Sequence, residues 1–123
     1  MSDSPQAIAA KAKKAVEGFL EGLRQGGSGD PREFLQVTLR GIQNPKMVIP
    51  HFLAFEVGKC RRPDGAGDVV REVEVKLLLA PHNDRPRMEM AGALRVICET
   101  GPMKPGLDGE WGVCPMSFRP RKA

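Results

Sequence analysis

Residues 4–25 constrain this chain more than any other stretch. Ser4 followed by Pro5 reads as a helix start, because a serine hydroxyl can take up a free backbone N–H and proline at the first helical position loses nothing by lacking one. From there Ile8, Ala12, Ala15, Val16, Phe19 and Leu23 recur at helical spacing and fall on one face, with Lys13, Lys14, Glu17, Glu21 and Arg24 on the other. A helix with one apolar stripe has to cover that stripe with another layer. The polar face is mixed in sign, which suits a solvated surface better than an anionic membrane. Gly18 and Gly22 each weaken the helix by up to about 1 kcal/mol relative to alanine, and they also let another backbone come close.

The layer that covers the stripe has to come from the rest of the 123 residues. That length favours one domain. Only 5% of the residues are aromatic, with one Trp and no Tyr, so the core must be thin and built on Val, Leu, Ile and Met. A partner could contribute part of the burial. Gly26, Gly27, Ser28 and Gly29 come after the helix and read as a flexible linker, which leaves the helix free to pack on its own sheet or on another chain.

Most of the chain beyond residue 46 reads as strands. Residues 69–80 carry the best alternation in the chain, with Val73, Val75, Leu77 and Leu79 on one side and Glu72, Glu74 and Lys76 on the other. Residues 47–60 place Met47, Ile49, His51, Leu53, Phe55 and Val57 together, so Phe52 and Phe55 should point to opposite faces. Residues 88–99 group Met88, Met90, Leu94, Val96 and Cys98, with Glu89, Arg95 and Glu99 facing away. A last short strand runs around Trp111 to Phe118. Arg62-Pro63-Asp64-Gly65 is a turn in which proline sets φ and glycine takes the left-handed position. Asp30 to Gln43 is ambiguous. Asp30, Pro31 and Glu33 resemble a helix start, yet Leu35, Val37 and Leu39 alternate with Gln36, Thr38 and Arg40 as in a half-buried strand, and strand is preferred.

The expected architecture is therefore α+β. A tethered amphipathic helix (1–25) leads through a Gly-rich linker (26–30) to an antiparallel meander of four to five strands (31–118), and a basic tail (119–123) ends the chain. No run of about 18 apolar residues exists to span a membrane. With no signal-like segment, and three cysteines matching no disulfide framework, the expectation is cytoplasmic.

The chemistry-bearing residues are few. Cys60, Cys98 and Cys114 with His51 and His82 lack the close-spaced pairs of a structural zinc site, so neither metal nor cofactor is expected. Cys98 sits on an apolar face, where a thiol acts as a small hydrophobe, and His51 sits on an apolar stripe. Cys60 beside Arg61 and Arg62 could be a reactive thiol, although a strand end entering a basic turn explains it as well. The loop 81–86 is the most polar connection, and turn chemistry alone accounts for its Asn and Asp.

The formal net charge of +4 is spread over the two ends of the chain and the stretch 30–62, with an acidic excess in the sheet region between. A nucleic-acid binder more often gathers its charge on one face and adds stacking aromatics. The reading the sequence favours is a non-enzymatic interaction or assembly module that meets a protein partner or its own copies through Ile8, Val16, Phe19 and Leu23. The alternative is a nucleic-acid or polyanion binder using Lys59, Arg61, Arg62, Arg119, Arg121 and Lys122. A small Cys/His enzyme or metal-binding protein ranks third.

Overall fold

The structure is a computed structural model that describes residues 4–24, 30–40, 49, 51–65, 67–81 and 86–120, the side chains of 116 and 120 excepted. Helix α1 spans Pro5–Leu23, and the Ser4 hydroxyl accepts a hydrogen bond from the Ala7 N–H at 3.2 Å, as the cap requires. Two 3₁₀ turns come next, Pro31–Phe34 and Val37–Leu39. The strands are β1 (Phe52–Arg61), β2 (Val70–Leu79), β3 (Met88–Gly101), the two-residue β4 (Lys104–Pro105) and β5 (Glu110–Pro120). All pair antiparallel: β1 with β2, β2 with β3, and β3 with both β4 and β5. The α+β class and the antiparallel sheet are as the sequence implies. The expected linker falls largely outside the described residues.

One face of the sheet receives the helix. Val73, Val75 and Leu77 of β2, Leu94 and Val96 of β3 and Val113 of β5 join Val16, Phe19 and Leu20 of α1 in one buried cluster. Burying a side chain such as Phe19 or Leu20, neither of which is exposed at all, is worth about 1.5–3 kcal/mol each. The opposite face is charged. Glu56 stands across from Lys76, and Glu72 has Arg61 on one side and Arg95 on the other, each an opposite-sign cross-strand pair. Gly65 adopts φ 77°, the left-handed turn position its sequence context demands.

Residues 31–40 correct the reading of the ambiguous segment, being neither strand nor α-helix. Asp30 caps the first 3₁₀ turn by accepting from the Arg32 N–H at 2.9 Å. The chain then makes a single parallel bridge, Leu35 to Val113, and the Gln36 N–H donates to the Val113 carbonyl at 3.0 Å. Two helix glycines make this return possible. A β-carbon at Gly22 would lie 2.8 Å from the Pro31 nitrogen, and one at Gly18 would run into the Phe34 ring. Residues 41–43 lie outside the described residues.

A second correction concerns β1. Its register shifts between Phe52 and Ala54, so Phe52 turns inward in place of Leu53. Phe52 and Phe55 then share a face and pack edge to face, with ring centroids 6.2 Å apart. Another shift between Val57 and Cys60 brings Cys60 to the core side. His51, expected on the apolar stripe, is exposed.

Candidate functional site

The expected contact face of α1 is spent on the chain's own sheet. Val16 and Phe19 are fully buried, and Ile8 and Leu23 retain only 8% and 6% of their exposure. The basic residues of the anion reading are scattered. Arg61 is bound to Glu72 at 2.7 Å and Arg62 to Asp68 at 2.6 Å. Arg119 lies on β5, three strands from Lys59 on β1, which at about 4.8 Å per strand separates their backbones by roughly 14 Å. Arg121 and Lys122 fall outside the described residues.

No cysteine meets a histidine among the described residues. His51 and Cys60 occupy opposite ends of β1, roughly 30 Å apart at strand rise. His82 is outside the described residues. Cys98 is fully buried. Burial pushes the Cys60 thiol up, against the opposing pull of Arg71 and Lys13, so it is held as the inert thiol and not the thiolate. Among the described residues no group of His, Cys, Asp and Glu could hold a metal ion, and no helix is long and apolar enough to cross a membrane.

Two features of the structure have no counterpart in the sequence reading. The first is a buried carboxylate. Alternation places Glu99 on the charged face, yet the 3₁₀ segment covers it and leaves it 4% exposed. Burial alone would raise its pKa. Hydrogen bonds from the Thr38 hydroxyl (2.5 Å), the Thr38 N–H (3.0 Å), the Gln36 amide (3.4 Å) and the Met103 N–H outweigh burial and hold the carboxyl below its ordinary value. The Met103 N–H also donates to the Thr38 hydroxyl oxygen at 2.7 Å. Met103 itself adopts φ 59°, an uncommon conformation for a non-glycine residue, at the tip of the β3–β4 hairpin. Glu99 thus ties this hairpin to the 3₁₀ segment.

The second is a hollow of about 340 Å³ between α1, the 3₁₀ segment and the start of β5. Lys11, Lys14, Arg40 and Glu33 stand around it with Phe34 and Trp111. Arg40 donates to the Leu35 carbonyl at 3.1 Å and pairs with Glu110 at 2.9 Å. The Arg71 guanidinium lies 5.6 Å from the centre of the Trp111 ring, in cation–π range.

No family model, no curated protein and no solved structure matches this chain. Its function has to be argued from its own geometry.

Neither the Glu99 cluster nor the hollow was legible in the sequence. Each is assembled from segments distant in sequence, and the positions of residues 33–40 depend on a bridge to Val113. The only advance signal was Trp111, the sole tryptophan, at the start of its strand.

Proposed function

We propose that this chain is a non-enzymatic interaction module that assembles with a second copy of itself through the outer edge of β1. The observation that carries the reading is an asymmetry of the sheet. The ten residues of β1 pair on one side with β2, and no described residue pairs with the other side. An unpaired edge offers a row of backbone donors and acceptors to another strand. With the apolar face of α1 packed against its own sheet, the edge replaces the helix as the contact surface in this reading. Glu56, Lys59 and Arg61 on β1, together with its two register shifts, restrict which strand could dock there, because a mismatched partner would face like charges or a kinked backbone.

Multi-angle light scattering of the full chain tests this. The expected mass exceeds the 13.4 kDa of one chain and returns to it when Glu56→Lys or Lys59→Glu is introduced with no change in circular dichroism. A monomer mass at every concentration up to about 1 mM, corresponding to an association weaker than roughly 4 kcal/mol, would sink the reading.

A further inference from the structure

The second register shift of β1 restricts how two copies of this edge can meet, an inference that rests on the β1 reading above. Val57 stands across from Val75 and Cys60 across from Val73, so Gly58 and Lys59 together oppose the single residue Glu74. A β-carbon at Gly58 would lie 3.3 Å from the Glu74 β-carbon. Phe55, Val57 and Cys60 all pack toward the core, while Glu56, Lys59 and Arg61 are exposed. In the alternation of faces along β1, Gly58 and Lys59 therefore fill one position between Val57 and Cys60. Residues set opposite one another on paired strands share a face, so any partner strand has to respect that alternation.

Two identical edges joined antiparallel, like every strand pair in this sheet, are related by a two-fold axis at which one position meets itself. Like charges set directly opposite are destabilising, and opposite charges stabilise. With Glu56 on the axis, two glutamates meet. With the Gly58–Lys59 bulge there, two lysines meet. With Cys60 there, Lys59 faces Arg61, and with Phe55 there, Glu56 faces Ala54 and no charge is matched. An axis nearer either end leaves fewer residues paired. Val57 is the position that matches charge: each Glu56 faces the partner's Lys59, each Phe55 the partner's Cys60, and each Ala54 the partner's Arg61. We propose that two copies join in this register, antiparallel about Val57, with two Glu56–Lys59 contacts between them. A ladder of alternating sign then crosses four strands, from Lys76 to Glu56 to the partner's Lys59 and the partner's Glu74. The same sheet already holds such a ladder, with Glu72 between Arg61 and Arg95.

Light scattering of charge variants of the full chain, alone and mixed, reads this register. Glu56→Lys and Lys59→Glu each put two like-charge contacts into the dimer and should weaken it by about tenfold or more. An equimolar mixture of the two variants should recover the parent's mass, because every contact of the mixed dimer again joins opposite charges. The double variant, Glu56→Lys with Lys59→Glu, should dimerise with itself as the parent does. Both side chains are exposed, so circular dichroism should be unchanged. Suppose the parent dimerises, and the folded single variants either dimerise as tightly or fail to recover the mass on mixing. The register is then overturned while the edge reading stands. Should a single variant lose its circular dichroism, the double variant decides, and a monomer mass for it overturns the register. A parent chain that stays monomeric up to about 1 mM overturns both the register and the edge reading.

Discussion

Along β5 the outer backbone of the sheet meets Leu35 and Gln36, which bridge to Val113 and bring the 3₁₀ segment over Glu99. Along β1 no described residue makes the equivalent contact, and the strand carries two register shifts and a set of charged side chains instead. Both arrangements deal with the same liability, the unpaired polar groups of a sheet edge. Covering an edge costs chain and demands a fit. A β-carbon at Gly112 would collide with the backbone of Leu35 and Gln36, so glycine is required where the segment crosses. Guarding an edge with charge and bulges needs no extra chain, and it leaves the edge open to a partner that matches. Fold stability thus concentrates at β5, and the proposed assembly at β1.

Leu35→Ala should do the most damage. The side chain is fully buried under the covered edge, and truncation should cost about 2–4 kcal/mol in urea-induced unfolding. A loss below about 1 kcal/mol would mean the segment rests on the sheet without anchoring it.

Glu99→Ala should come next, at about 2–3 kcal/mol, because it strips the acceptor from several donors at once. The same carboxylate makes the β5 edge sensitive to acid. Its folded pKa lies below its unfolded value, so its contribution is full above about pH 5 and drains as pH falls through the lowered value. Thermal unfolding of Glu99→Gln should therefore show a shallower loss of stability on acidification than the parent chain. An unchanged slope would assign the acid response to other carboxylates.

The smallest effect should fall on β1. Arg61→Ala breaks an ion pair whose arginine is 61% exposed and screened by solvent, and the unfolding midpoint should stay within the error of the measurement. A larger loss would show that the guarded edge is held together by its charges, and the contrast between the edges would narrow.

Helix α1, the inward stripe of β2 and the Gly65 turn were legible because each depends on neighbours within a few residues: a cap, a period, a fixed φ. The same local rules failed at Asp30–Arg40, where a helix start and a strand alternation overlapped and a tertiary bridge produced neither. They failed again at Phe52, since a register shift is negotiated between two strands and leaves no mark in either one alone. Glu99 looked like any outward carboxylate until Thr38 and Gln36 closed over it. The sequence by itself determined that an apolar helix stripe must meet an antiparallel sheet. The tertiary structure decided that the stripe would be consumed there, which edge would be covered and where a hollow would remain. Those outcomes depend on close approaches between segments far apart in the chain, and periodicity carries no information about them.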